Sequence, residues 1–177
     1  MPDWPHSPPH RLLGQGTYMF TAGTYLKKHI FNTPDKLNLI EGSLISTFAQ
    51  TEFQLQAWAV MSNHYHFIVN SRGNNPEKLK KHISNIHRET SLDVNKIDSK
   101  PGRKVWFQFW DSKISYPKSY FARLKYVHNN PVHHKLVATA DNYQWCSAAW
   151  FKLNAPSGFI RMIESFKIDN LNVEDDF

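Results

Sequence analysis

The sequence predicts an α+β fold, in which an antiparallel sheet of ferredoxin-like topology has helices on one side. Two kinds of segment lead to this prediction, namely alternating apolar stretches typical of strands and helically spaced apolar stretches. Their order along the chain is strand, helix, strand, strand, helix, strand and a final helix. The first six elements make the β-α-β-β-α-β unit, and the third helix is an addition at its C-terminal end.

The first two elements follow from composition and from a helix-start pattern. Residues 17–25 are β-branched and aromatic, which favours a strand. The run Thr33-Pro34-Asp35 is typical of a helix N-terminus, because it supplies a cap, a first-position proline and a first-turn acid. Apolar residues then recur at helical spacing, so we expect a helix over roughly 34–50.

The middle of the chain is typical of a β-hairpin followed by a helix and a fourth strand. The hairpin is expected over 53–70, with Ser62-Asn63 as its two-residue turn. A second helix is expected over about 76–91, followed by the basic loop NKIDSKPGRK. The aromatic segment VWFQFWDSKIS predicts the fourth strand.

The third helix opens at Ser115-Tyr116-Pro117 and is expected to end near Asn130, since Pro131 disfavours a helical residue before it. The Trp-rich stretch that follows, up to Phe166, is assigned only as packing segments. We therefore expect one catalytic domain over 13–166. An N-terminal arm rich in Pro and His, 1–12, precedes it, and an acidic tail, 167–177, is expected to be disordered.

Composition narrows the class of protein. No apolar run approaches the roughly 18 residues of a membrane span, so no membrane partner is expected. The N-terminus lacks the pattern of a signal peptide, and the single cysteine, Cys146, excludes an internal disulfide. Both observations favour a cytoplasmic protein.

Charge points to a polyanionic partner. The net charge is +6, and the last nine residues hold four acids. Without those nine residues the chain has 21 basic and 11 acidic residues, a net charge of +10. Such an excess favours nucleic acid, and the many aromatic residues could stack on unpaired bases. A solvated basic surface and aromatic residues of the core are the simpler interpretations of the same numbers.

The pair His64 and His66 is the first candidate site. Strand side chains alternate, so residues two apart point the same way, and both imidazoles should lie on the face opposite Tyr65 and Phe67. Imidazole is a common ligand of divalent metals, and two ligands leave room for substrate oxygens. In a chain with ten histidines, such a pair can also arise by chance.

The third helix carries a polar stripe that includes a second candidate. Ser119, Arg123, Tyr126 and Asn130 recur at helical spacing. Tyr126 could present its hydroxyl to a substrate, Asn130 could offer an oxygen to a cation, and Arg123 could bind a phosphate. A tyrosine on a helix is, however, most often a packing residue with a wet hydroxyl.

The remaining candidates give weaker signals. His82 and His87 lie five residues apart on the second helix and are expected at the surface. The pair His133-His134 is expected in a solvated turn, and Cys146 is expected to be buried.

Three segments together resemble one family. AWAVMSNHYHFIV resembles the strand of single-tyrosine HUH transposases, in which two histidines flank one bulky residue after a Met-x-Asn turn. RLKYVHNNPV resembles their tyrosine helix with its Asn-Pro-Val end, and VWFQFWDSKI resembles their Trp- and Phe-rich strand. The most similar branch is the REP-associated tyrosine transposases, over residues 15–150. The sequence departs from the family pattern at Lys135, where a Gly is common.

The resemblance implies an enzyme that cleaves and rejoins single-stranded DNA beside a hairpin through a 5′-phosphotyrosine. Tyr126 matches the nucleophile, while His64, His66 and Asn130 match the metal site. Tyr116 and Tyr120 match no family position. Mg²⁺ or Mn²⁺ suits such mixed N and O ligands. We expect a monomer or a homodimer, and the DNA-reading residues cannot be aligned.

Two alternatives remain open from the sequence. A metal-dependent nuclease would use a metal-bound water and leave no protein–DNA bond. A catalytically inactive or host-adapted protein would bind hairpin DNA without cutting it, with a steep dependence on salt. Replication and conjugation initiators share the tyrosine chemistry, but they often have further domains.

Overall fold

The computed structural model describes residues 12, 14–73, 75–168, 171, 173 and 177. The predictions for the N-terminal arm, 1–12, and for the tail, 167–177, fall largely outside these residues. Within the described part of the chain, four strands form one antiparallel sheet with the order β2-β3-β1-β4, accompanied by five α-helices. The expected mixed α/β architecture with a four-stranded antiparallel sheet is confirmed.

The strands are β1 (Gly16–Thr24), β2 (Phe53–Val60), β3 (His64–Ser71) and β4 (Trp106–Ile114). The helices are α1 (Pro34–Ala49), α2 (Lys78–Ile97), α3 (Pro117–His133), α4 (Ala148–Asn154) and α5 (Ser157–Ser165). Short 3-10 turns lie at Tyr25–Lys27 and Ala140–Asn142. No helix in the described residues is long and apolar enough to cross a membrane.

Helices cover the two faces of the sheet, and the two faces have separate apolar cores. The α1 and α2 side holds the larger core, in which Phe20 stacks on Phe67 with ring centroids 4.9 Å apart. The α3 side holds a smaller core around Met19, Ile68 and Leu124. The strands β1 and β3 are paired on both sides, so they form the buried centre of the sheet.

The second helix is longer than predicted, because it continues to Ile97 instead of ending near 91. Val94 is buried one turn beyond Thr90, so the buried stripe extends past the predicted end. The basic loop is correspondingly shorter. It is tied to α1 and α2 by Asp98, whose carboxylate lies 2.6 Å from Lys36 and 2.8 Å from Arg103.

The prediction that α3 ends near Asn130 is wrong, since the helix runs through Pro131 to His133. A proline near the C-terminal end of a helix removes only one backbone donor, and the turn continues around it. The His134 amide bonds to the Asn130 carbonyl at 3.0 Å, and the Leu136 amide bonds to the Pro131 carbonyl at 2.9 Å.

The Trp-rich segment after α3 lies against strand β2 and includes two helices that the sequence analysis did not assign. The Val60 amide bonds to the Trp145 carbonyl at 2.9 Å, and the Ser147 amide bonds to the Trp58 carbonyl at 2.9 Å. This segment therefore covers the outer edge of β2, which would otherwise present unpaired backbone groups. Cys146 is buried there, as expected.

The expectation that His87 lies at the surface is wrong. Its ring is stacked on Trp106 with centroids 4.5 Å apart, and its Nε2 lies 2.8 Å from the Tyr65 hydroxyl. Burial lowers its pKa to about 3. His82 is half-buried and lies edge-on to Phe53.

We predict that His128 makes the fold sensitive to acid. This side chain is buried under α4, its Nε2 lies 3.1 Å from the Ser147 hydroxyl, and burial lowers its pKa to about 4. In the unfolded chain the histidine pKa is near 6.5, so below that pH the unfolded chain binds the proton more readily than the folded protein does. The free energy of unfolding therefore falls as pH drops from about 6.5 towards 4, by roughly 2 kcal/mol at pH 5.

Urea unfolding at pH 7, 6 and 5 measures this effect, with His128→Gln and the exposed His133→Gln as matched variants. His128→Gln should reduce the loss of stability between pH 7 and pH 5, and His133→Gln should not. An unchanged pH slope in His128→Gln would contradict the assignment.

Candidate functional site

The candidate site lies where the central strand β3 faces α3. His64 and His66 pair with Gly23 and Thr21 of β1, and both side chains are buried on the α3 face of the sheet. Their rings lie edge to face with centroids 5.2 Å apart. The intervening Tyr65 packs into the opposite core. The alternation of the strand therefore brings both imidazoles to one face.

Each imidazole is held at its Nδ1 atom by a nearby polar side chain. The Thr21 hydroxyl lies 2.7 Å from Nδ1 of His66, and the Asn63 side-chain oxygen lies 2.8 Å from Nδ1 of His64. Such outer partners select the ring orientation and the tautomer of a ligating histidine. The sequence analysis missed Thr21 as a site residue, because its position depends on the register between β1 and β3.

Helix α3 closes the site with two residues one turn apart. The Asn130 side-chain oxygen lies 3.2 Å from Nε2 of His64, and Asn130 is buried. The Tyr126 ring lies edge to face on His66 with centroids 5.3 Å apart. The structure thus brings together all four residues that the sequence singled out for the metal and the nucleophile.

The other two tyrosines of this region lie in different environments. Tyr116 precedes the helix and is 74% exposed. Tyr120 packs against Phe121 with ring centroids 5.7 Å apart, and burial raises its pKa. Only Tyr126 of these three has a ring contact with the histidine pair among the described residues.

A metal ion is compatible with these donors. Nitrogen and oxygen ligands of one ion, each at about 2.1 Å, lie close to 3 Å apart when they are adjacent, and the 3.2 Å between His64 and Asn130 matches that spacing. The Nε2 atom of His66 is also buried in the site. The described residues contain no group of three or more His, Cys, Asp or Glu side chains placed to hold a metal. Any ion would therefore depend on the Asn130 amide.

Two further rings border His64, and the sequence analysis did not anticipate either. His134, expected in a solvated turn, lies with its ring centroid 4.7 Å from that of His64. Its position follows from the extension of α3 past Pro131. Phe177 stacks on His64 at 4.5 Å and 10°, so the ring of the last residue covers one face of the imidazole.

Arg123 is half-buried on α3 and donates a hydrogen bond to Ser119, one turn earlier. Its Nε is buried and has no hydrogen-bond partner among the described residues. Burial lowers the pKa of the guanidinium. The half-buried guanidinium is therefore held on its own helix through Ser119.

Known structures with a similar fold include one solved with DNA. The fold resembles a REP-associated tyrosine transposase. That structure, solved with the transposase bound to a REP hairpin, superposes with a TM-score of 0.65 over 97% of this chain and 94% of its own. The two chains are 18% identical, so the likeness is one of fold. No family model and no curated relative match the sequence.

Proposed function

We propose that this protein cleaves and rejoins single-stranded DNA through a covalent bond to Tyr126, assisted by a divalent metal. The proposal rests on the contacts between α3 and β3. One turn of α3 brings a tyrosine against His66 and an amide oxygen within 3.2 Å of His64. The proposed nucleophile and the proposed metal ligands are therefore adjacent, which suits phosphoryl transfer.

The topology supports the same proposal. The element order β-α-β-β-α-β, together with the strand order β2-β3-β1-β4, is what a ferredoxin-like domain would have. We assign residues 13–166 to one catalytic domain of this kind, with α3 as the added helix. Because one fold serves many functions, the topology supports the proposal only together with the site.

The metal would be held by His64, His66 and Asn130. A mixture of imidazole and amide ligands suits Mg²⁺ or Mn²⁺, which accept substrate phosphate oxygens at their remaining positions. When bound, such an ion neutralises charge on the phosphate and polarises its P–O bonds. Thr21 and Asn63 would keep the two imidazoles oriented towards it.

The chemical step is a transesterification at phosphorus. The Tyr126 oxygen attacks, the bond from phosphorus to the 3′ oxygen breaks, and the tyrosine proton is replaced by a bond to the 5′-phosphate. The departing 3′ oxygen takes up a proton and leaves as a hydroxyl. Attack by another 3′-hydroxyl reverses the step and rejoins the strands. One phosphodiester replaces another, so no nucleotide cofactor is needed.

The proposed substrate is single-stranded DNA next to a hairpin. The fold neighbour is a transposase bound to a REP hairpin, and the net charge of this chain is +6. Arg123, half-buried on the same helix as Tyr126, is a candidate for binding a DNA phosphate. Basic charge of this kind would give affinity that falls steeply with salt.

We predict that Tyr126→Phe abolishes the covalent protein–DNA adduct, because it removes only the attacking oxygen. The measurement is incubation with labelled hairpin oligonucleotides and Mg²⁺ or Mn²⁺, followed by denaturing electrophoresis. Tyr120→Phe is the matched control on the same helix and should still form the adduct.

The products also separate the alternatives. Cleavage without an adduct, releasing a free 5′-phosphate, would indicate a metal-dependent nuclease. Hairpin binding without cleavage by the unaltered protein would indicate a non-catalytic DNA-binding protein. An adduct formed in full by Tyr126→Phe would remove Tyr126 as the nucleophile.

We predict that His64→Ala lowers cleavage in Mg²⁺ by more than the roughly 10–100-fold that is typical of losing an outer partner of a metal ligand. Its Nε2 is the imidazole nitrogen that lies next to Asn130. Initial cleavage rates measure the effect, and the exposed His133→Ala serves as the control. Equal rates for His64→Ala and the unaltered protein would exclude a metal role for His64.

We predict that Thr21→Val weakens Mn²⁺ binding roughly 10–100-fold. The affinity of Thr21→Ser for Mn²⁺ should stay close to that of the unaltered protein. Valine keeps the shape of threonine but removes the hydroxyl that lies 2.7 Å from His66, and serine restores that hydroxyl. Mn²⁺ titration followed by electron paramagnetic resonance gives the affinity without any cleavage. If Thr21→Ser is as weak as Thr21→Val, the effect is one of packing and the positioning role is wrong.

A further inference from the structure

We propose that Gly23, His64 and Trp110 form a slot for one unpaired nucleobase of the DNA strand, directly beside the candidate metal site. The inference rests on the proposed function and deepens it, because it names the group that binds next to the reacting phosphate. The Phe177 ring, which lies in this slot, acts as an internal stand-in for a base.

The slot is defined by the rings around Phe177. The His64 imidazole is nearly parallel to the Phe177 ring, at 10° and 4.5 Å between centroids. The Trp110 indole lies edge-on at 68° and 6.4 Å. The Lys27 ammonium lies 5.9 Å from the centroid of the same ring. A flat ring is therefore stacked on one face, bordered by a second aromatic residue and accompanied by a positive charge.

Gly23 provides the floor of the slot. A Cβ atom built on Gly23 would overlap the Phe177 ring carbons. Gly23 does not have the left-handed φ that would itself require glycine, since the glycines with such values are Gly14, Gly16 and Gly102. The lack of a side chain at Gly23 therefore leaves room for a flat ring against the backbone of β1.

The pairing of β1 with β4 is irregular at Gly23. Between the pairs Ala22–Phe109 and Thr24–Trp106, strand β4 has two residues opposite the single Gly23. A bulge of this kind bends the strand and redirects side chains, and bulges are frequent beside functional sites. Trp110 follows the bulge and is half-buried on the histidine face, where it pairs with Thr21.

A nucleobase fits this environment better than other flat groups. Bases of single strands stack on aromatic rings, imidazole included, and the strand brings a phosphate charge that favours a nearby lysine. The slot adjoins His64, so a base stacked there would be joined to a phosphate beside the proposed metal ligands. The imidazole can stack through its face while its Nε2 points in the plane of the ring towards Asn130.

A base can occupy the slot only when the Phe177 ring is absent from it. The experiment therefore uses a variant that lacks this ring. Full-length Phe177→Ala is titrated with fluorescein-labelled DNA hairpins that have single-stranded thymine flanks, in EDTA so that cleavage does not proceed. In a series of these hairpins, each flank nucleotide in turn is replaced by an abasic residue. Fluorescence anisotropy gives the dissociation constant of each hairpin.

For Phe177→Ala we expect one flank position at which the abasic residue weakens binding roughly five- to hundredfold, the range for stacking of one base. Adding Gly23→Ala should remove the sensitivity at that position and leave other positions unchanged. Trp110→Ala should reduce the same sensitivity and provides a second variant if Gly23→Ala does not fold. The matched controls are Gly42→Ala, with no atom within 4 Å of its added methyl, and the exposed Trp150→Ala.

The binding experiment distinguishes an incorrect slot assignment from an incorrect proposed function. If Phe177→Ala binds the hairpins but no position is sensitive, or if the sensitivity persists in both Gly23→Ala and Trp110→Ala, the slot is wrong and DNA binding stands. If neither the unaltered protein nor Phe177→Ala binds any hairpin, the proposed function fails and the slot fails with it.

Discussion

Strand β3 is buried on both faces. The alternation of its side chains puts apolar core residues on one face and the candidate site residues on the other. Tyr65, Phe67 and Val69 fill the core under α1 and α2. His64 and His66 occupy the alternate positions and must therefore face α3. A register slip of one residue would turn both imidazoles into the larger apolar core and turn the aromatic rings towards α3. The stacking of Phe67 on Phe20 opposes such a slip, so the packing of one face determines the placement of the site on the other.

Burial imposes a second requirement on the two imidazoles. A polar ring buried without a hydrogen-bond partner is unfavourable, and each ring has a side-chain partner, the Thr21 hydroxyl for His66 and the Asn63 side-chain oxygen for His64. Because these partners meet Nδ1, they leave Nε2 directed towards α3, where Asn130 lies. The same contacts that satisfy buried polar groups thus orient them for a ligand. This is why Thr21, which has no chemistry of its own in the proposed reaction, belongs to the site.

Local patterns predicted the elements well, and long-range pairing explains what they missed. The alternation of 53–70 was sufficient for the hairpin, and the Thr33-Pro34-Asp35 run for the start of α1. Thr21 could not be assigned to His66, because 45 residues separate them and only the β1–β3 register brings them together. The position of His134 depends on a local feature, since α3 continues past Pro131, a residue that usually ends a helix.

The segment after β1 is linked through Asn63 to His64, a proposed metal ligand. Leu26 and Lys27 both have positive φ, 57° and 53°, a conformation that costs roughly 1–2 kcal/mol for each residue other than glycine. Leu26 is 65% exposed, so its burial does not offset this strain.

Hydrogen bonds hold the segment instead, from the Thr24 hydroxyl to the Lys28 carbonyl at 2.6 Å and from the Asn63 amide to the Lys27 carbonyl at 3.3 Å. Asn63 contacts His64 with its other side-chain atom. A single buried amide therefore joins the backbone beside the slot to the orientation of a proposed metal ligand.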